Sequence, residues 1–442
     1  MYGDINVYPY IVFHYPPLYH VTARAIAAFG VDLLYAGRWL SVASTVATAV
    51  LVGALISRLL RQRVPVAVAT IASAIGGATV FTYLPVAIWS PIMRVDMFAV
   101  ALGFAGVYLA VLGVRRPALL YAAALAFALS IYTKQTMVAA PAATFGVLWL
   151  REPRSVRGPV VFGFSLAAAA LAWLSWETHG GFLRHIVLYN INRFSIIQAL
   201  RQLRVTSRVA GYLLVAIPFG LVQSWWRLRG PGSPAIRALV RQDYGALILA
   251  IVTAWLGIAV VITLATVGKT GGNRNYSIEW MCILSVFVGI AIGDALDAMR
   301  RRSAPAMALI VPTLLAAQML LIRLPDTTSL TSAPTREAMD HLFRMIQAAQ
   351  KPVLSDDMVL LLRAGKQVPI EPAIFAELGS LGRWDQRKLV DLINLHAFAF
   401  IVTEIGPGSE LYDERYTRPV QAAIATNYPR QERFAEYVVL AP

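Results

Sequence analysis

The stretch RVDMFAVALGFAGVYLAVLGVRR, Arg94–Arg116, decides the fold. Between Met97 and Gly113 it holds no Asp, Glu, Lys or Arg; Arg94 and Asp96 stand before that run, and Arg115 and Arg116 follow it. Roughly 20 apolar residues cross a bilayer core, somewhat fewer where long side chains snorkel at the ends. In lipid such a run folds as a helix, because a helix satisfies all of its backbone donors and acceptors within one segment. The two ends differ in kind, with a basic pair at one and an Arg-x-Asp at the other. That asymmetry supplies a direction as well as a span.

The same ruler, moved outward, finds candidate spans near 35–57, 64–88, 97–113, 118–133, 136–150, 158–176, 208–226, 244–266, 280–298 and 305–322, about ten in all. Basic clusters fall in alternate loops. Arg58, Arg61 and Arg63 follow the first span, Arg115 and Arg116 the third, and Arg151, Arg154 and Arg157 the fifth. Arg227, Arg229, Arg237 and Arg241 follow the seventh, and Arg300, Arg301 and Arg302 the ninth. Those loops are expected in the cytoplasm, with the residues before 35 and after 323 on the other side of a plasma (inner) membrane.

Composition agrees. Of 442 residues, 58% are hydrophobic and 14% charged, with a mean hydropathy of +0.61, more apolar surface than a soluble domain of this size can hide. The net charge of +15 sits in short runs between apolar stretches, which argues for membrane topology and against a nucleic-acid partner. Cys282, the single cysteine, lies in an apolar run and offers no disulfide framework. The start, Met1-Tyr2-Gly3-Asp4, has neither the basic n-region nor the apolar h-region of a signal peptide.

Three regions follow: an extracytoplasmic loop segment at 1–34, a transmembrane domain at 35–323, and a small extracytoplasmic α/β domain at 324–442. Within the second, the polar but helically spaced segment near 180–205 reads as an amphipathic helix lying on the outer surface. In the third, helices are expected at Thr335–Gln350, Met358–Ala364 (closed by Gly365), Trp384–Leu395 and Tyr416–Ala425. Strands are expected at Pro352–Ser355, in AFIVTEI and at Phe434–Leu440, in a partly parallel sheet.

Ionisable and polar residues at the edge of a bilayer are costly and therefore candidates for function. Four outer segments carry them. FHYPPLYH offers His14 and Tyr15 beside two prolines that fix an extended entry, although its aromatics also suit an interfacial belt. Arg94 and Asp96 open the third span, where a snorkelling pair on a helix dipole is the plain alternative. Lys134 and Gln135 occupy a turn between spans, where a lysine also serves merely to face water. GKTGGNRNYSIEW supplies Arg274, Asn275, Tyr276 and, entering the next span, Glu279. The surface segment adds His185, Asn190, Asn192 and Arg193, and its arginines make the outer face cationic, as an anionic lipid-phosphate headgroup would require. Ser355-Asp356-Asp357 reads as a helix cap.

Taken in order, YGD…HYPPLYH, GRWLS, RVDMFAVALGFAGVYLA, YTKQT and GGNRNYSIE resemble the GT-C glycosyltransferases, in particular family-39-like bacterial enzymes that use polyprenyl-phosphate sugars. The tail, with SDDMVLLLRAG, WDQRKLVDLI and NYP…EYVVLAP, is similar to the extracytoplasmic domain that some of these proteins carry. The resemblance implies transfer of a hexosyl or pentosyl group, with inversion, from a polyprenyl-phosphate sugar to an acceptor hydroxyl on a glycan, lipid or protein. A carboxylate takes the acceptor's proton while cations receive the leaving phosphate. On that basis Asp4 and Asp96 are the catalytic candidates, Arg94 fixes Asp96, and Lys134, Arg274 and His185 contact the donor phosphate. Glu279 holds a sugar hydroxyl or pairs with one of those cations.

The family places its principal acid just after a first transmembrane helix, and this sequence starts beyond that point. An upstream span is therefore expected, with Asp4 in the Tyr-x-Asp position before the proline pair. No metal ligand is assigned, since Asp4 and Asp96 alone do not make a coordination set for a hard cation; a divalent-metal cofactor stays open. The competing class is a transporter or flippase of lipid-linked or polar substrates. Such proteins place charges and broken helices near the bilayer midplane, whereas the polar groups here sit at span ends.

Overall fold

The computed structural model describes residues 1–206, 236–269, 271–302, 310–321 and 332–442. They form two compact units. A helical unit comprises Tyr15–Trp173 and the described part of Arg193–Leu324. A mixed unit comprises Met1–His14, Leu174–Asn192 and the described part of Pro325–Pro442.

The chain runs through α1 (Leu18–Ala27), α2 (Leu33–Leu60), α3 (Val66–Ala78), α4 (Leu84–Trp89), α5 (Val95–Gly113), α6 (Ala118–Thr133), α7 (Ala139–Arg151) and α8 (Pro153–Glu177). It continues through α9 (Gly181–Ile186), α10 (residues 196–206), α11 (Ile236–Gln242), α12 (Tyr244–Thr266), α13 (Ile278–Arg300) and α14 (Ile310–Leu321). Among the described residues, α2, α5, α8, α12 and the stretch Arg274–Arg300 are long and apolar enough to cross a membrane, and Val66–Thr82 and Ala118–Thr133 are shorter apolar helices. This is a multi-pass helical membrane protein. The candidate span at 208–226 lies outside the described residues, and 305–322 lies partly outside them.

Helix starts follow local chemistry. Asp32 caps α2 by accepting from the N–H groups of Leu34 (3.0 Å) and Tyr35 (3.2 Å), and Asp243 caps α12 through Ala246 N–H (2.9 Å). Two sequence expectations need correction. The stretch 64–88 is not one helix: α3 passes into a 3-10 turn at Thr79–Thr82, Tyr83 is extended, and α4 begins again. Pro85 lies in the first turn of α4, where its missing N–H costs nothing, whereas inside a continuous helix it would remove a backbone hydrogen bond and crowd the preceding turn. The segment near 180–205 is not one helix either. A 3-10 turn at Leu188–Asn190 and non-helical residues 191–195 separate α9 from α10. Around this break Phe194 pairs antiparallel with Lys269, and Ser195 N–H donates to Gly268 O at 2.8 Å.

In the helical unit α13 is central, with 83% of its most apolar window buried, against 11% for α8, which keeps most of its surface for lipid. Lipid tails are as apolar as leucine, so close helix contact needs small residues. Here α3 packs against both α2 and α13. A Cβ added at Gly76 would stand 2.8 Å from Gly289 Cα, and one at Gly77 would stand 2.6 Å from Ala49 O. The arginines from alternate loops gather at one end of this unit. Arg151 Nη1 donates to Val240 O (2.6 Å), Arg241 Nε donates to Arg151 O (3.0 Å), and Arg115 lies over the Tyr244 ring (5.3 Å).

The mixed unit holds a four-stranded sheet of β1 (Leu354–Ser355), β2 (Ile401–Glu404), β3 (Arg430–Phe434) and β4 (Tyr437–Ala441) in the order β1-β2-β4-β3. The β1–β2 pair is parallel and the other two are antiparallel. Around it lie α15 (Ala333–Ala348), α16 (Met358–Arg363), α17 (Pro372–Ser380), α18 (Arg387–Asn394), α19 (Glu410–Arg415) and α20 (Arg418–Asn427). Gly365 follows α16 in the left-handed region (φ +69), as the helix stop required. The first residues of the chain complete this core: Ile5, Tyr10 and Val12 are buried with Ile370, Phe375 and Trp384, and Tyr10 N–H donates to Pro369 O at 2.8 Å.

Gly289→Leu should force α3 and α13 apart, an overpacking cost of about 1–3 kcal/mol. The thermal midpoint of detergent-purified protein should fall by several degrees, whereas an unchanged midpoint would mean that this contact does not set the packing distance.

Candidate functional site

At the end of the helical unit away from the arginine cluster, the polar residues of three separate segments meet. Asp96 lies in the first turn of α5, where the helix dipole favours an anion, and it is 1% exposed. A lone carboxylate buried there would be prohibitively costly, and two cations and one amide compensate it. Lys134, at the extended residue that ends α6, reaches Asp96 Oδ1 at 2.7 Å. Asn275 Nδ2 donates to the same oxygen at 2.9 Å. Arg94 Nε stands 3.5 Å from Oδ2, an oxygen that receives no hydrogen bond.

Each partner is positioned in turn. Asn275 belongs to a 3-10 turn, Arg274–Ser277, that leads into α13; the turn is opened by Asn273, whose Oδ1 accepts from Arg274 N–H at 2.7 Å. The loop before it reverses at Gly271 (φ +76) and Gly272, where a Cβ would stand 2.6 Å from Val267 O. Arg94 is held on both sides: its Nη2 donates to Tyr15 Oη at 3.3 Å, and its carbonyl accepts from Ser41 Oγ at 3.2 Å. Tyr19 Oη donates to Gly37 O at 2.7 Å, which ties α1 to α2 beneath this point. Lys134 Nζ also lies 5.1 Å from the centre of the Tyr276 ring, a cation–π distance.

Glu279, on the first turn of α13, accepts from Trp255 Nε1 of α12 at 2.7 Å. A small pocket beside the Asp96 group is lined by Asp96, Lys134, Asn275, Tyr276 and Glu279, with Thr263 and Thr266 of α12. The structure therefore unites Asp96, Arg94, Lys134, Asn275, Tyr276, Glu279 and, through Arg94, Tyr15. Gln135 is half-buried next to Lys134 in the chain. Arg274 is half-buried next to Asn275, and no acid pairs with it among the described residues. The sequence offered Tyr19 only as an interfacial aromatic and Ser41 only within GRWLS, and it did not single out Trp255. A tryptophan at the middle of the most hydropathic span was the one available signal for Trp255.

The remaining candidates belong to the mixed unit. Both ring nitrogens of His185 are engaged by backbone: Nδ1 accepts from Phe13 N–H at 3.0 Å, and Nε2 donates to Gly3 O at 2.7 Å. His14 O accepts from Asn190 Nδ2 at 3.4 Å. Burial, reinforced by neighbouring His185, holds the His14 imidazole down at about 4, and burial lowers His185 as well. Asp4 is exposed, and its Oδ1 accepts from Asn6 N–H (2.9 Å) and Asn6 Nδ2 (3.2 Å), which holds its carboxyl below the ordinary range. Asp356 and Asp357, read as a cap, do more than cap. Asp357 accepts from Val359 N–H at the start of α16, while buried Asp356 pairs with Arg415 at 2.9 Å. No cluster of metal-ligating residues occurs among the described residues.

No protein-family profile and no curated protein matches the chain. Solved structures do. The Archaeoglobus fulgidus oligosaccharyltransferase in complex with Zn and sulfate aligns with 97% of this chain and 64% of its own, at 12% identity and a TM-score of 0.52. AglB from the same organism, in complex with an inhibitory peptide and a dolichol-phosphate, aligns with 100% of this chain and 68% of its own, at 11% identity and a TM-score of 0.53. ArnT from Cupriavidus metallidurans, bound to undecaprenyl phosphate, aligns with 97% of this chain and 88% of its own, at 14% identity and a TM-score of 0.48. The chain has the GT-C membrane fold.

Two predictions follow from these contacts. Lys134→Met leaves Asp96 buried beside a weaker partner and should cost about 3–5 kcal/mol, most of it regained in Lys134→Met/Asp96→Leu. Thermal unfolding of the three proteins checks this, and a neutral single variant would refute it. For the histidines, a pKa depressed on folding means that the unfolded chain binds more protons between about 6.5 and 4, so stability falls as pH falls through that window and levels off below it. Amide protection of Met1–His14, corrected for intrinsic exchange, should be lower at pH 5 than at pH 7.

Proposed function

We propose that this protein is a glycosyltransferase that moves a sugar from a polyprenyl-phosphate donor to an acceptor hydroxyl at the extracytoplasmic face of the plasma membrane. The observation that carries the reading is the Asp96 carboxylate, buried at a helix end with Oδ1 saturated by Lys134 and Asn275 and Oδ2 left for another donor. The GT-C fold supports it, as does the dolichol-phosphate held by AglB. Arginines gathered at the opposite end of the helical unit support a cytoplasmic position for that end.

The transfer is a single displacement. The acceptor oxygen forms a bond to the anomeric carbon while the carbon–oxygen bond to phosphate breaks, and its electron pair leaves with the phosphate. The acceptor's proton passes to a carboxylate, and configuration at the anomeric carbon inverts. Asp96 offers Oδ2 to the acceptor hydroxyl, while Arg94, Lys134 and Arg274, which pairs with no acid among the described residues, supply positive charge for the leaving phosphate. Lys134 and Arg94 remain charged because Asp96 stabilises them, so the same contact that makes burial tolerable keeps the cations ready. Asp4 is the second candidate base, an exposed and ionised carboxylate on the mixed unit.

The test is sugar transfer in membranes from strains with and without the gene, using a panel of radiolabelled polyprenyl-phosphate sugars. Label should move from one donor into glycolipid, glycan or protein only when the gene is present. Asp96→Asn should lower that transfer by about 100-fold or more, the usual contribution of a positioned acid or base. Asp4→Asn should lower it without shifting the thermal midpoint, because that side chain is exposed. Transfer from no donor by folded protein would move the reading to a transporter of lipid-linked substrates. Full activity in both variants would remove the two acids from the mechanism.

A further inference from the structure

At the end of the helical unit away from Asp96, five arginines surround one short stretch of chain. The stretch is Val240–Gly245, where α11 closes and α12 opens. Arg151, the last residue of α7, donates through Nη1 to Val240 O at 2.6 Å, and Arg241 Nε donates to Arg151 O at 3.0 Å. Arg115, just beyond α5, lies over the Tyr244 ring at 5.3 Å. Arg63, just beyond α2, stands so close that a Cβ added at Gly245 would meet its Nη2 at 2.9 Å. Arg58, in the last turn of α2, shares this neighbourhood: its charge, with those of Arg115 and Arg151, reaches the Tyr244 hydroxyl. That hydroxyl is itself fixed, donating to Val111 O of α5 at 2.8 Å.

The plain reading is that arginines follow α2, α5 and α7 because they complement helix dipoles and hold alternate loops on one side of the membrane. That reading needs basic residues in those loops. It does not need them to converge from four separate segments on one point, where like charges repel. No acid compensates them: the ion pairs on α13 join Asp297 to Arg300 and Arg301 instead, and none of the five pairs with an acid among the described residues. Of the acids nearest in the chain, Glu152 is exposed and Asp243 is engaged with Ala246 N–H as the cap of α12. Hydrogen bonds to protein acceptors occupy Arg151 and Arg241 but not the side chains of Arg58, Arg63 or Arg115 among the described residues.

Uncompensated guanidinium groups are complementary to phosphate, whose oxygens take their N–H donors in pairs. The surroundings identify the bearer of that phosphate as a lipid. Trp149 and Leu150, which precede Arg151, and Val66, which follows Arg63, are exposed apolar side chains. Arg157 lies over the Trp149 ring at 5.8 Å, an arrangement suited to the membrane interface. Apolar surface beside a basic cluster at the ends of membrane-crossing helices suits acyl chains below a headgroup, whereas a soluble phosphate gains nothing from it. We propose that Arg58, Arg63, Arg115, Arg151 and Arg241 form a binding site for the phosphate of an anionic membrane phospholipid. The bound lipid ties the ends of α2, α5 and α7 to the corner between α11 and α12. It stabilises the bundle without touching the Asp96 group, and the inference is independent of the glycosyltransferase reading.

The experiment uses the full chain, delipidated in a neutral detergent, with phosphatidylglycerol, phosphatidylcholine or inorganic phosphate added in turn. Native mass spectrometry counts bound lipid, and the thermal midpoint reports its effect. Wild type should take up phosphatidylglycerol in preference to phosphatidylcholine and gain several degrees from it, with no gain from inorganic phosphate. Two double variants then remove one arginine each from the same two connections. Arg63→Gln/Arg115→Gln should weaken phosphatidylglycerol binding about 10-fold or more, whereas Arg61→Gln/Arg116→Gln should bind as wild type does. Arg58→Gln, a change at an exposed side chain, should weaken binding a few-fold without lowering the lipid-free midpoint, and it carries the test if the first double variant misfolds. Equal losses in the two double variants would mean a diffuse field and overturn the site. Equal uptake of phosphatidylcholine, or the full gain from inorganic phosphate alone, would overturn the lipid.

Discussion

A carboxylate at the apolar end of a transmembrane helix must be neutralised from within the protein, and in this chain the helical unit is arranged so that it is. Asp96 costs too much to bury alone, so α5 requires Lys134 from the end of α6 and Asn275 from the turn before α13. Those two partners come from distant parts of the sequence. Their convergence fixes the ends of three helices relative to one another, more tightly than apolar packing in lipid would. Arg94 extends the network to the segment before α1 through Tyr15 and to α2 through Ser41. One ion pair thus links structure and chemistry: the acid holds the cations, and the cations make the acid tolerable.

The rest of the helical unit follows from how close its backbones approach. Gly76, Gly77 and Gly289 remove side chains where α2, α3 and α13 touch, and α13 consequently lies deep in the bundle. Its first turn carries Glu279, and the turn before it carries Asn275, so the most enclosed helix delivers polar groups to the site. Tight packing therefore matters to chemistry as well as to stability. A helix that was free to slide by a fraction of a turn could not keep Asn275 at 2.9 Å from Asp96.

Much of this was legible in the residues. Apolar runs with few or no charges located α5, α6, α12 and α13, since a span in lipid has few alternatives to helix. The same cost of charge in lipid singled out Asp96, Lys134, Asn275 and Glu279. Two features misled. An apolar run at 64–88 concealed a break, because neither Pro85 nor the adjoining 3-10 turn, Thr79–Thr82, carries a charge that would mark it. The periodicity near 180–205 concealed another, because backbone pairing between Phe194 and Lys269 competes there with helix. In the mixed unit, β3 escaped notice since RQERF lacks the apolar alternation of a half-buried strand; four of its five residues are exposed.

The sequence by itself determined the class of molecule, the alternation of its basic loops and the residue types available for chemistry. These depend on local composition and on the price of charge in lipid, both of which can be read one segment at a time. Only the tertiary structure decided which of those residues act together. It joined Asp96 to Lys134 and Asn275, turned Glu279 toward Trp255, and placed His185 in backbone contacts with the first residues of the chain. Such pairings join positions far apart in the chain, 179 residues in the case of Asp96 and Asn275. No local pattern records a contact of that range, because it exists only when the helices between have packed.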